Sequence, residues 1–310
     1  MDQVSRRFGE LIAVNDVSIE IAPGTIVGLI GPSGSGKTTI VRMLTGTLAP
    51  TSGELRVLGE RPAQFHRRTR ERLGYMPQQF HLYPHLTASE NVAFCASLFG
   101  LFWWSRVKRV PEVLALAQLS SAKDRLAKDL SGGMLRRLSL ACALVHDPDV
   151  VFVDEPTAGL DPMLRQTVWN EFRRLRDSGR TLFVTTQNVT DAEHCDRVAL
   201  LVRGRLVALD TPDALRREVF GGEVIDVRTG GRTDAALVEG VPGVRSVRRS
   251  GPGRFMIVTD DAARATPEIT GAIAAAGDRV VSAEKVEPSF DDVFMALIER
   301  SGLETKDEVA

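Results

Sequence analysis

The chain has 310 residues, 43% hydrophobic and 25% charged, with 39 basic and 40 acidic side chains and a formal net charge of −1. That length holds one large domain or two ordinary ones with ample core. The neutral balance excludes any bulk electrostatic attraction to nucleic acid or to an anionic membrane.

In chain order, residues 1–30 read as short strands. Val14–Ile21 alternates, Ala22-Pro-Gly24 turns, and Thr25–Ile30 is a buried strand. Phe8, ahead of these, is equally open to core packing and to stacking on a base. The strand runs into Gly31-Pro32-Ser33-Gly34-Ser35-Gly36-Lys37-Thr38-Thr39, and a helix-like pattern follows as far as Gly46. Strand, glycine loop and helix in that order make a phosphate-binding loop. Its glycines let successive N–H groups point inward at a polyphosphate, and the helix adds its positive end. Lys37 is expected to reach the β- and γ-phosphates, and Thr38 to place its hydroxyl on Mg²⁺.

Beyond a turn at Pro50–Gly53, Glu54–Leu58 reads as a strand, and the arginines between Arg61 and Arg72 as a solvated helix face. Leu73–Met76 is another strand, ending at Pro77-Gln78-Gln79. Helices are expected after Thr87, over Val107–Leu119 and from Leu130-Ser-Gly-Gly133 through Leu144. Trp103 and Trp104 have buried packing as their default, though an aromatic pair in a helical insert also suits a docking surface. Asp149–Glu155 is a buried parallel strand with two acids at its carboxyl end, where doubly wound sheets bind ligands. Pro162–Ser178 reads as a helix, and Arg180–Thr186, Asp196–Val202 and Leu206–Leu209 as strands. From Glu223 the order is strand, helix, strand, strand, helix, strand, with a last helix over Ser289–Arg300; that order fits a small ferredoxin-like domain. Cys95, Cys142 and Cys195 form no C-x-x-C pair, which argues for a reducing compartment and against a metal site. The longest apolar piece, Leu98–Trp104, falls far short of the roughly 20 residues that span a bilayer, and no basic-then-apolar leader opens the chain. A cytosolic chain is the expectation.

The phosphate loop and the acidic strand are common to many nucleotide hydrolases. Leu130-Ser-Gly-Gly-Met134 ahead of the acidic strand, Ala158-Gly-Leu-Asp161 just after it, and Gln78 between loop and strand narrow the choice. Taken together, from about Phe8 to Pro212, these motifs resemble the ATP-binding subunits of ABC transporters. The resemblance implies a P-loop α/β fold with a mixed core sheet, an antiparallel β subdomain and a helical subdomain over about 84–148. The whole would occupy 1–221, with the ferredoxin-like α+β domain as an accessory over 222–310. It also implies that two such domains face each other head to tail around two ATP molecules.

The roles follow residue by residue. Phe8 matches the adenine-stacking aromatic, and Gly31 to Thr39 the Walker A loop. Gln78 matches the glutamine that touches Mg²⁺ and the attacking water and relays to the membrane subunit. Ser131, Gly132 and Gly133 match the signature that donates to the opposite γ-phosphate. Asp154 matches the Walker B ligand of Mg²⁺, Glu155 the general base, and Asp161 the residue joining the two sites. Gln187 stands where the family has its switch histidine. It can hydrogen-bond a γ-phosphate oxygen but cannot protonate near pH 7, so a slower or more dimer-dependent ATPase is expected. His194 lies too far along to stand in. Met134 replaces the usual signature glutamine, as in drug-export subfamilies, and the family's first strand is expected to be largely missing.

The tail Glu287–Phe294 resembles the C-terminal element of ABC-2 type ATPase subunits that power efflux of drugs, antibiotics or lipids. The implied protein is an ATPase on the cytoplasmic face of a membrane, bound to a separate transmembrane permease and paired with itself or with a paralogue, without nucleic acid. Two alternatives stand beside this. One is a binding-only regulator with weak turnover. The other is a soluble ABC ATPase acting on nucleic acid, which would call for long coiled-coil inserts or two ATPase domains, neither of which is present.

Overall fold

The computed structural model describes residues 1–231 and 233–302. The chain divides into two compact units, one built on Met1–Thr211 and the other on Pro212–Arg300.

The first unit opens with the antiparallel pair β1 (Asp2–Phe8) and β2 (Leu11–Val17), then the wholly buried β3 (Ile26–Ile30). A glycine loop leads into α1 (Lys37–Leu44), and β4 (Ser52–Glu54) returns to pair with β1. The short α2 (Arg67–Arg70) and β5 (Leu73–Met76) precede three helices: α3 (Ala88–Leu98), α4 (Trp103–Leu116) and α5 (Gly132–Leu144). Then come β6 (Val150–Asp154), α6 (Pro162–Asp177), β7 (Thr181–Thr186), β8 (Arg197–Val202) and β9 (Arg205–Asp210).

Local chemistry explains the helix starts. Thr87 and Glu90 close a capping box on α3, the Ser131 hydroxyl caps α5, and Asp161 caps α6 ahead of Pro162. The core sheet runs β5-β6-β7-β3-β8-β9, parallel except for the last pair. Strands β3, β6 and β7 are buried along nearly their whole length, with Val4, Val14 and Val17 of the β1–β2 pair and Ile40, Val41 and Leu44 of α1 packed in the same core as Val27, Leu29, Phe152 and Phe183. Their register sets Ile30 beside Thr186 and Asp154 beside Thr185. Gly31, Glu155 and Gln187 therefore leave the sheet at one edge. Among the described residues no helix is long and apolar enough to cross a membrane.

Several expectations change. A strand, β1, runs from Asp2 to Phe8, with Val4 wholly buried. β2 starts earlier and stops at Val17, where Asp16 takes a positive φ of 53° and breaks the alternating run. The run Glu54–Leu58 is not one strand: Leu58 sits at φ 50° and Val57 and Glu60 exchange backbone hydrogen bonds in a turn. Arg67, Arg68 and Arg70 are exposed on a single helical turn, α2. Helix α4 begins at Trp103 with Pro111 inside it, and both tryptophans are exposed, so buried packing does not hold for them. Cys95 and Cys142, distant in sequence, line one cleft.

The second unit comprises α7 (Pro212–Phe220), β10 (Glu223–Thr229), α8 (Ala235–Glu239), β11 (Val244–Gly251), β12 (Arg254–Thr259), α9 (Ala262–Ala275), β13 (Val280–Val286) and α10 (Phe290–Ser301). Its sheet order, β11-β12-β10-β13, is antiparallel throughout. That is the split arrangement of a ferredoxin-like domain. Ile225, Val227, Phe255 and Ile257 pack against Ile269 and Ile273 of α9. Helix α7 was not foreseen, and the division falls between Thr211 and Pro212 rather than after 221. The reason is α7's attachment: Arg300 donates to the carbonyls of Glu218 and Val219 at 3.0 and 2.7 Å, and Arg216 to that of Pro288. Residues 303–310, within the expected accessory domain, lie outside the described residues.

Candidate functional site

The loop between β3 and α1 requires its glycines. A Cβ on Gly31 would sit 2.1 Å from the Leu201 carbonyl oxygen, and one on Gly36, at φ 107°, would sit 2.4 Å from that of Ala13. The backbone thus curls tightly against β2 and β8, and α1 begins at once with Lys37. Lys37 Nζ donates to the carbonyls of Gly31 at 2.7 Å and Pro32 at 3.0 Å, so it hangs over the loop. It also stands 3.5 Å from Glu155 Oε1, with both side chains buried. Burial pulls the Lys37 ammonium below the ordinary lysine range, and the Glu155 carboxylate opposes that pull. Ser33 and Gly34 are exposed at the loop's outer side, Pro32, Thr38 and Thr39 are half-buried, and the buried Ser35 hydroxyl has no hydrogen-bond partner.

The acidic pair sits where β6 ends. Asp154 Oδ1 accepts from the Thr185 hydroxyl, while Oδ2 is buried without a partner. Glu155 takes a positive φ of 54°, held by its N–H donating to Thr185. Its Oε2 accepts from the Gln187 N–H at 3.2 Å, and Oε1 has no hydrogen-bond donor. A buried carboxylate oxygen without a partner, as Asp154 Oδ2 is, is costly unless something charged is to meet it. Loop lysine, acidic pair and the backbone of Gln187 thus form one cluster, while the Gln187 side chain is exposed.

The other expected residues stand on the surface. Phe8 is 45% exposed, with the Arg6 guanidinium 4.6 Å above its ring, so it is not core. Gln78 is exposed in the loop after β5. Ser131 and Gly132 are exposed and Gly133 half-buried at the start of α5. Asp161 spends its Oδ1 on the N–H groups of Met163 and Leu164, both at 3.0 Å. Among the described residues no hydrogen bond or ion pair joins 131–133 to the 31–39 loop.

Three residues escaped the sequence reading. Arg136 on α5 donates to the carbonyls of Glu155, at 3.0 Å, and Ala158, and its guanidinium lies 5.5 Å from the Phe80 ring. Thr185 holds both acids. Asp191, wholly buried, accepts from Thr157 and Thr186 hydroxyls at 2.7 Å each and from the Trp169 indole at 2.9 Å. The only sequence signal for them is a polar side chain close to a motif. His194 packs on Trp169, 5.2 Å between ring centres.

A divalent cation is the natural match for the orphan Asp154 oxygen. Among the described residues no cluster of three His, Cys, Asp or Glu side chains exists. Mg²⁺ asks for one or two carboxylates, with phosphate and water completing its shell, so the donor set fits it.

Residues 14–158 match the family described as "ABC transporter", and residues 211–298 the family described as "ATP-binding protein DrrA1-3-like, C-terminal domain". The Nod factor export ATP-binding protein I of Paraburkholderia xenovorans (strain LB400) is 40% identical over 84% of this chain and 85% of its own. Its counterpart from Rhizobium sp. (strain N33) is 37% identical over 96% of this chain and 95% of its own. The probable multidrug ABC transporter ATP-binding protein YbhF of Escherichia coli (strain K12) is 37% identical over 72% of this chain, which spans only 39% of YbhF. Among solved structures, the ATP-binding cassette MJ0796, dimeric in a post-hydrolysis state with ADP and Pi, is 28% identical, with a TM-score of 0.63 over 68% of this chain and 97% of its own. An ATP-binding subunit of an ABC transporter reaches 0.64 at 27% identity, covering 70% of this chain and 91% of its own. With loop, acidic pair and sheet order in place, this chain belongs to the ABC ATPases, as an ATP-binding subunit of an ABC transporter.

Proposed function

We propose that the chain hydrolyses ATP to drive a separate membrane exporter of the ABC-2 type, carrying drugs, antibiotics or lipids, as one of a head-to-tail pair of ATPase chains. The observation that carries this reading is the buried cluster of Lys37, Asp154 and Glu155, in which Glu155 Oε1 is ion-paired with Lys37 and Asp154 Oδ2 has no partner. The relatives named for Nod factor export and multidrug transport support the export direction.

In this reading the loop from Gly31 to Thr39 and the Lys37 ammonium cradle the polyphosphate, and Phe8 stacks on the base. Thr38, Asp154 and Gln78 would hold Mg²⁺, which when bound supplies charge neutralisation on the phosphates. Glu155 Oε1, ion-paired with Lys37 but without a hydrogen-bond donor, accepts the proton of the attacking water. Its left-handed backbone, pinned by Thr185, fixes where that carboxylate stands. Gln187 offers a neutral hydrogen bond to a γ-phosphate oxygen. Ser131, Gly132 and Gly133 donate to the γ-phosphate held by the partner chain, and Asp161 lies at the junction of the two sites. ATP affinity for the closed pair then drives a two-state rearrangement of the permease, and hydrolysis resets it. The chain sits peripherally on the cytoplasmic face of the membrane through that permease.

The test is ATP turnover by the purified chain beside Glu155→Gln, with size-exclusion chromatography with and without ATP and Mg²⁺. Turnover should fall on the order of 10²–10³-fold in the variant, which should instead accumulate as an ATP-dependent dimer. Equal turnover in both chains would remove Glu155 from the chemistry. Lack of turnover in the wild type would favour a binding-only regulator, the reading that Gln187 invites.

A further inference from the structure

Among the described residues, a cluster of exposed apolar side chains stands at the start of α4. Leu98, Phe102, Trp103, Trp104 and Val107 are 69%, 65%, 66%, 56% and 68% exposed. They form an ordered group. The Phe102 and Trp104 rings stack at 4.8 Å with planes 2° apart, and Trp103 meets Trp104 edge-on at 5.8 Å. Trp103, Val107, Val110 and Leu114 follow helical spacing along one stripe of α4, and Val110 and Leu114 at its far end are buried. One apolar stripe is thus covered by the protein in its C-terminal half and uncovered in its N-terminal half. So large a clustered apolar patch calls for an occupant.

The charges around it say what kind. Between Leu98 and Pro111 the sequence has Arg106, Lys108 and Arg109 and no acid. Arg109 is committed to Asp147, Glu112 and two backbone carbonyls. Lys108 is exposed. A Cβ built on Gly100 would lie 3.3 Å from Arg67 Nη2, and Arg70 lines a cleft together with Phe99, which brings these two arginines of α2 to the rim of the patch. Arg67 is paired with Glu71, while Arg68 and Arg70 are exposed beside it. On a chain of net charge −1, this is a local concentration of positive charge around tryptophans. Indole rings settle at the boundary between headgroups and acyl chains, and basic side chains beside them meet anionic headgroups.

We infer that the Phe102–Val107 corner of α4 is an interfacial anchor that dips into the headgroup region of an anionic phospholipid leaflet, with Arg67, Arg70 and Lys108 facing the headgroup phosphates. Two exposed tryptophans supply the apolar insertion, and the arginine-rich rim supplies the attraction. The anchor would hold the ATPase at the membrane surface independently of its grip on a permease. This rests on the exporter reading for its setting, but flotation on lipid-only vesicles is read without ATP or permease, so the two ideas fail separately.

The full chain is mixed with vesicles of phosphatidylcholine alone and with vesicles that also contain phosphatidylglycerol, and followed by flotation and tryptophan emission. The chain has three tryptophans, and Trp169 is wholly buried, so a change in emission reports on Trp103 and Trp104. Blue-shifted emission and flotation with the anionic vesicles, both weakened by salt, are expected. Trp103→Ser with Trp104→Ser should abolish flotation while leaving ATP turnover and thermal stability as in the wild type. Lys108→Gln should weaken partitioning about fivefold. Flotation unchanged in the double variant would overturn the proposal. So would binding only to vesicles carrying a permease, because the occupant would then be protein.

Discussion

The Asp191 carboxylate takes one hydrogen bond each from Thr157, Thr186 and Trp169, fastening the segments after Glu155 and before Gln187 to helix α6. Removing it leaves three buried donors unmatched, each worth about 1–3 kcal/mol. Asp191→Ala should therefore lower stability by on the order of 3 kcal/mol in denaturant unfolding, and turnover should fall with it because both flanks of the Glu155 site loosen. A loss too small to measure would show that water replaces the carboxylate. His146 makes a different prediction. Burial between Leu73 and Phe99 pulls its pKa below the ordinary 6.5. The unfolded chain then binds the proton more readily than the native one, so its contribution is full above about pH 6.5 and declines as pH falls through that value. Comparing unfolding free energies near pH 7.5 and near pH 5.5, His146→Phe should show a smaller acid loss than the wild type.

Helix starts carry the next set of consequences. Asp161 caps α6 through two backbone N–H groups, a structural task that any proposed role across a dimer must be separated from. Asparagine is also a good cap and alanine is not. Asp161→Ala should cost about 1 kcal/mol of stability, and Asp161→Asn much less, in thermal melts. If Asp161→Asn retains stability yet loses ATP-driven pairing, the charge acts across the dimer; if both variants lose only stability, the cap is the whole role. Elements bounded by sharp local signals were legible in the sequence: the uniformly apolar β3 and β6, the glycine loop, and α5 behind Ser131. The start of α9 was less legible: Asp261 caps it and Pro267 lies inside the helix rather than at its first turn. Arg136, Thr185 and Asp191 were invisible because only the sheet register and helix packing bring them to the acids. The exposed tryptophans defeated the reading for the opposite reason: sequence registers apolarity, not whether the protein has enough body to cover it.

At the scale of the whole molecule, the two units have separate cores, with Ile225, Val227, Phe255 and Ile257 packed wholly within the second. The phosphate loop lies in the first. A ligand stabilises only the body that binds it, by about 2.7 kcal/mol at a hundredfold excess over Kd. Calorimetry should accordingly resolve two transitions, and ATP with Mg²⁺ should move one of them and leave the other in place. A single transition displaced as a whole would mean that the units unfold together.

The exposure of Ser131 and Gly132, apart from the buried Glu155, has a genetic consequence if the chains pair as proposed. Each composite site draws its acid from one chain and its signature from the other. A cell carrying a Glu155→Gln allele and a second allele damaged at Ser131 would assemble mixed pairs with one site broken twice and the other whole. Two recessive-looking defects would then complement each other in trans, while the same two changes placed on one allele would leave each mixed pair with the wild type half-crippled at both sites.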